Sequence, residues 1–151
     1  MSKEELNIKI GECFPSAVLE EGGEWTTMLI EPSAWLEVAG QLRTTPDLNF
    51  DFLFCLTCID WKTYFTMVYH LRSTVQGQVL VVKAKLDHKE PVIESVSNIW
   101  RTAEFHEREV YDLFGVKFLH HPDLRRLLLT EEWNGYPLRK DYEDPVNMIK
   151  L

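Results

Sequence analysis

The chain is 151 residues long, 45% hydrophobic and carries a net charge of −8, which suits one globular domain with an adequate core and disfavours nucleic acid as the main partner. Its longest apolar run is about five residues, against the roughly 20 that a membrane-spanning helix needs, and the charged start MSKEELNIKIGE lacks the apolar stretch of a signal peptide, so a soluble, cytosolic chain is expected. Three cysteines, an odd number, argue against a disulfide framework.

Residues 3–13 predict a short helix with Leu6, Ile10 and Cys13 on one stripe. Gly22-Gly23 marks a turn between the strand-like runs SAVLE and TTMLIE. Pro32-Ser33 opens a helix whose Trp35, Val38, Ala39 and Leu42 follow the 3.6-residue period, and Thr44-Thr45-Pro46-Asp47 ends it. Three strands come next. The first, FDFLFCLTCID, is apolar on both faces, which predicts a buried central strand. In the second and third, Phe65, Met67, Tyr69 and Leu71, then Leu80, Val82, Ala84 and Leu86, alternate with their neighbours, and Gln76-Gly77 makes the pair a hairpin. Pro91 is expected to precede a helical stretch at residues 92–100. A second helix is expected at residues 102–114, stopped by Gly115. Beyond Gly115 the period weakens, and a short strand or turn followed by an extended tail is predicted. The charge divides at the same place. Residues 1–114 hold 10 Lys+Arg against 18 Asp+Glu, whereas residues 115–151 hold 6 of each.

Cys55 and Cys58 form a C-x-x-C, a spacing that serves redox dithiols and metal sites. On a strand, however, side chains three apart point to opposite faces. A zinc site also needs about four ligands, and Cys13 is the one other cysteine. The simpler reading is two small buried hydrophobes. The helix TAEFHEREVYDLF carries Glu104, His106, Glu107, Arg108, Glu109, Tyr111 and Asp112, residue types able to do acid–base work. Their spacing favours a structural ion network of Glu107, Arg108, Glu109 and Asp112. Glu104–Arg108 and Arg108–Asp112 stand at i,i+4, and a partly buried Glu107 would need a basic partner, for which the arginines near the C-terminus are candidates. His120-His121 reads as the entry to a turn before Pro122 rather than a metal site. Arg125-Arg126 and Arg139-Lys140 could meet phosphate or anionic lipid, but the neighbouring Asp123 and Asp141 favour pairing with protein carboxylates. No G-x-G-x-x-G, P-loop, flavin fingerprint or four-cysteine cluster set is present, so no cofactor is expected in this chain.

The run EREVYDLFGVKFLHHPDLRR at residues 107–126, followed by WNGYPLRKDY at 133–142, resembles the 30 kDa, or C-type, subunit family of respiratory complex I, the NADH–quinone oxidoreductase. Weaker likeness extends upstream to about residue 33. The resemblance implies a two-layer α+β fold, with helices packed on one mixed β-sheet at residues 1–115 and an extended C-terminal tail at 116–151. It implies a non-catalytic structural and assembly subunit of the peripheral arm, on the cytoplasmic side of an energy-transducing membrane. The tail would dock on the large quinone-site partner, the D-type subunit, near the iron–sulfur subunits, through Arg125, Arg126, Trp133, Tyr136, Leu138, Arg139, Lys140 and Asp141. Flavin, iron–sulfur clusters and quinone would belong to other subunits. Two departures stand out. The family pattern does not ask for cysteines at Cys55 and Cys58, and the chain stops soon after the last motif instead of running into the sequence of the large partner, from which a less extensive grip is expected. Ferredoxin–plastoquinone and membrane-bound hydrogenase-type complexes use the same subunit family and remain alternatives. So does a free-standing acid–base enzyme built on His106, Glu107 and Tyr111.

Overall fold

The computed structural model describes residues 2–130 and 132–143; the end of the expected tail, 144–151, lies outside them. Helix α1 (Lys3–Cys13) begins at Ser2, whose Oγ accepts the Glu5 N–H at 3.1 Å, with Glu4 and Glu5 at the positive end of the helix dipole. It buries Leu6 and Ile10 and leaves Cys13 at the margin. Strands β1 (Val18–Glu20) and β2 (Thr26–Ile30) form a hairpin around Gly22-Gly23, both at positive φ. A 3-10 turn at Pro32–Ala34 leads into α2 (Trp35–Thr44), which buries Trp35, Ala39 and Leu42 on the stripe its period predicts.

Strands β3 (Phe52–Asp60), β4 (Tyr64–Arg72) and β5 (Val79–Asp87) run antiparallel in succession. The main sheet has the order β1-β2-β5-β4-β3, and β2 lies parallel to β5, so the sheet is mixed, as expected. One face carries Met28, Tyr69, Leu71, Leu80, Val82 and Leu56 into a single core with residues from all three helices. The fold is thus α+β with helices packed on a sheet. Trp35 lies 4.6 Å from Tyr69 and 6.0 Å from Trp100 between ring centroids, at 0–1% exposure, and Trp100 Nε1 donates to the Phe50 carbonyl at 2.8 Å. Truncating one such tryptophan typically costs about 3–5 kcal/mol.

Two expectations are corrected. The strand FDFLFCLTCID is not central: β3 is the edge strand, and β5 and β4 occupy the middle. Its inward residues are Leu53, Leu56, Cys58 and Asp60, shifted in phase by an irregularity between Leu53 and Cys55, while Phe52, Phe54 and Ile59 stay exposed. Apolar residues on both faces cannot distinguish a covered strand from one whose outer face is apolar and open. The second correction concerns residues 92–100, which are not a helix. Val92–Glu94 is strand β6, and a turn closed by bonds from the Ile99 and Trp100 amides to Val96 O follows. β6 pairs in parallel with β7 (Lys117–Leu119), and α3 (Ala103–Phe114) connects them. The partner that makes Val92 and Ile93 a strand thus lies across a whole helix, beyond the reach of a local pattern. These two strands form a small second sheet beside the main one.

Candidate functional site: a strap held by two buried carboxylates

Helix α3 ends at Gly115, which is left-handed at φ 79. After β7 the chain turns back at residues 120–124 and runs along the C-terminal half of α3 as a strap, residues 125–130 and 132–142. Asp112 holds the near end. Its side chain has 0% exposure. One oxygen, Oδ2, accepts three successive backbone N–H groups, from Leu127 (3.3 Å), Leu128 (2.7 Å) and Leu129 (3.0 Å). The other, Oδ1, accepts from Arg126 Nη1 at 3.0 Å. Burial pushes the Asp112 carboxyl up, but these four donors outweigh it and hold the group below the usual aspartate range. The Arg126 guanidinium continues outward, donating to the carbonyls of Trp133 (3.0 Å) and Gly135 (2.9 Å). Arg108, one turn earlier in α3, secures the same stretch by donating to the carbonyls of Arg125 and Arg126.

The far end is held at the tip of β3. Tyr136 lies over Gly115, where a Cβ would meet the ring at 2.7 Å. Arg139 donates to the Phe114 carbonyl and stacks 5.2 Å from the centroids of both Phe65 and Tyr136. The Leu138 amide donates to Leu113 O. Asp60 Oδ2 accepts the Lys140 N–H at 2.8 Å, while Oδ1 accepts from Lys62 N and lies 3.1 Å from His88 Nε2. Asp60 is 4% exposed. Its burial is again outweighed, by the Lys140 and Lys62 amides and then His88, so its acidity is strengthened too.

Glu107 is set differently. It has 0% exposure and, among the described residues, meets no arginine. It accepts from Ser95 Oγ (2.6 Å) and Val96 N (2.9 Å), and His121 Nε2 stands 3.8 Å away. His121 accepts the Asp123 N–H on Nδ1, so Nε2 is the nitrogen that donates to Glu104 O. Burial dominates, and the Glu107 carboxyl is pushed up to about 7.

The expected pairing of Glu107 with a C-terminal arginine is therefore replaced by Arg126 on Asp112, and Arg108 turns to strap carbonyls instead of its i,i+4 acids. Glu109 is exposed, His106 half-buried, and Tyr111 stands 6.2 Å from the Tyr136 ring. Of the eight residues expected at a partner surface, Arg126, Tyr136 and Arg139 contact their own domain. Arg125 is exposed and paired with Asp123. Lys140 and Asp141 are exposed, with the Lys140 backbone pinned, and Trp133 and Leu138 present apolar surface at 37% and 53% exposure. Sequence reasoning missed Asp60, Ser95 and His121. Asp60 did leave a signal, because counting by twos from Leu56 and Cys58 turns it inward. Cys55 and Cys58 lie on opposite faces of β3, half-buried and buried, and burial pushes the Cys58 thiol up to about 12. Among the described residues no group of three or more His, Cys, Asp and Glu is arranged to hold a metal ion, and no helix is long and apolar enough to cross a membrane.

Comparison with known proteins gives a consistent result. The model of the family described as "Respiratory-chain NADH dehydrogenase, 30 Kd subunit" matches residues 28–146. The C subunit of the NADH-quinone oxidoreductase of Citrifermentans bemidjiense is 40% identical over 141 residues, 89% of this chain and 86% of that protein. The C/D subunit of the NADH-quinone oxidoreductase of Phocaeicola vulgatus is 47% identical over 112 residues, 73% of this chain, but the match spans only 22% of that longer protein. Among solved structures, the trypsin-resistant fragment (1-134) of Nqo5 superposes with a TM-score of 0.70 at 26% identity, over 82% of this chain and 100% of the fragment. A chain of the membrane-bound sulfane sulfur reductase, an archaeal respiratory membrane complex, superposes with a TM-score of 0.80 at 26% identity, over 93% and 85%.

Proposed function

The chain belongs to the 30 kDa subunit family of the respiratory-chain NADH dehydrogenase, and on that premise we propose that it is a non-catalytic docking and assembly subunit of an NADH–quinone oxidoreductase, binding the large D-type subunit through its strap. The observation that carries the reading is the division of labour along the strap. Arg126, Tyr136 and Arg139 turn inward and are satisfied by the domain, while Leu128, at 65% exposure, Trp133 and Leu138 face outward without a cover. Aromatic and aliphatic side chains held out on a fixed backbone are the anchors that protein interfaces use. Support also comes from relatives whose C/D names describe the two partners joined in one chain, a fusion that holds them at high effective concentration. The acid–base reading fares worse, because its shifted carboxylate, Glu107, is sealed from solvent by Ser95, Val96 and His121.

In this reading the protein sits in the peripheral arm on the cytoplasmic side of the membrane and holds no cofactor. Flavin, iron–sulfur clusters and quinone reside in its neighbours. The superposition on a sulfane sulfur reductase chain favours a second reading, in which the same docking role serves a related respiratory membrane complex. Affinity purification of the tagged chain from gently solubilised native membranes, with mass spectrometry, tests both. Recovery of the D-type subunit with iron–sulfur subunits is the expected result, and the electron-input subunits that accompany them decide between the two complexes. Recovery of the chain alone, while the rest of the complex is intact in the same membranes, overturns the proposal.

A further inference from the structure

Docking through a strap could proceed with the strap loose until a partner orders it. The geometry around Asp112 argues for the other order of events. Three consecutive amides converge on one carboxylate oxygen, an arrangement that exists only when residues 127–129 are already folded back. The side chain is fully buried and each of its oxygens is satisfied from within this chain. Arg126 then carries the position of this cradle outward, because the same guanidinium that meets Asp112 also fixes the carbonyls of Trp133 and Gly135. Arg108, one turn earlier in α3, fixes the carbonyls of Arg125 and Arg126. The amides of Leu127 and Leu128 point in, and their side chains are left outside.

We infer that Asp112 is a positioning residue for assembly: it closes the strap on the free protein, so that Leu128, Trp133 and Leu138 stand in their docking arrangement before the D-type subunit arrives. The inference rests on the docking reading above and adds an order of events to it. Asp112 touches the partner-facing side chains only through the backbone it holds, so its effect on binding is one of population. An open strap must close before it can dock, and the association rate falls by the fraction that is closed.

The experiment has two readouts on the full-length chain. Hydrogen exchange of the isolated wild-type protein is expected to show the amides of Leu127–Leu129 protected by roughly 100-fold or more over an unstructured chain, and Asp112→Asn is expected to remove most of that protection while β4 and β5 keep theirs. Association with the immobilised D-type subunit is then expected to slow by about tenfold in Asp112→Asn, with the dissociation rate changed much less. Wild-type amides that exchange like an unstructured chain overturn the inference, and so does an opened strap that associates as fast as the wild type. A wild-type chain with protected amides that does not bind the D-type subunit at all overturns the docking reading instead. If Asp112→Asn loosens β4 and β5 as well, Arg126→Lys replaces it. Lysine keeps the charge but cannot reach Asp112, Trp133 and Gly135 together, and the same two readouts apply.

Discussion

The two halves of α3 each bury a carboxylate at 0% exposure, and the two groups end with opposite acidity. In the first half, Glu107 receives one hydroxyl and one amide; burial wins and the proton is retained up to about pH 7. In the second half, Asp112 receives three amides and a guanidinium, and the charge is kept. Desolvation acts on both. The number of donors decides which of them can be an anion. The consequence is a division of roles along one helix, with Glu107 tying α3 to the end of β6 and Asp112 tying it to the strap.

The sharpest way to break this comparison is to remove the cation from the second half. Arg126→Ala is expected to destabilise the chain by about 3 kcal/mol, at the low end for a broken buried pair because the amide donors remain. The adjacent Arg125→Ala, which removes an exposed pair with Asp123, is expected to cost well under about 1 kcal/mol. Urea midpoints of the two variants measure the difference, and equal midpoints would mean that the strap contributes nothing to the fold.

Acidity sharpens the first half. The folded Glu107 pKa, about 7, lies above its ordinary value of 4.5, so the folded state binds the extra proton between these values. The contribution of Glu107 to stability is therefore greatest below pH 4.5 and declines as pH rises to 7, by up to about 3 kcal/mol. Glu107→Gln is expected to remove this decline, gaining on the wild type at about pH 8 and matching it near pH 5. Asp112 runs the other way. Its depressed pKa stabilises above the ordinary value of 3.8 and is lost as pH falls through the folded value. Stability measured against pH in the wild type and in Glu107→Gln checks both slopes, and a gain at about pH 8 no larger than that near pH 5 counts against a buried proton on Glu107.

A smaller effect comes from the residue that ends the second half. Gly115→Ala forces a side chain onto a left-handed φ of 79 and onto the Tyr136 ring, at a backbone cost of about 1–2 kcal/mol. Because the collision is with the strap, trypsin cleavage after Arg139 and Lys140 should quicken in this variant before the sheet loses stability. Unchanged cleavage would place Tyr136 elsewhere in solution.

Much of this arrangement is visible in the chain itself. The stripes of α1 and α2, the hairpin turns at Gly22-Gly23 and Gly77, the helix ending at Gly115 and the change of character beyond it all follow from local spacing. A further signal lies in α3: Asp112 sits in a last turn that carries no basic residue, where the helix dipole disfavours an anion. Such an acid points to donors from elsewhere, but not to which ones.

By itself, the sequence determined the elements built from near neighbours, the α+β class and, through EREVYDLFG, HPDLRR and PLRKDY, the family. The tertiary structure decided what each polar residue is for. β6 became a strand through β7, across a helix. β3 became an edge through the order of the other four strands. Asp112 met amides 15–17 residues away, and Asp60 met an amide 80 residues away. The physical reason is the range of the forces. Side-chain spacing records interactions within a turn or a pleat, whereas the state of a buried carboxylate depends on donors that only the completed fold brings within about 3 Å.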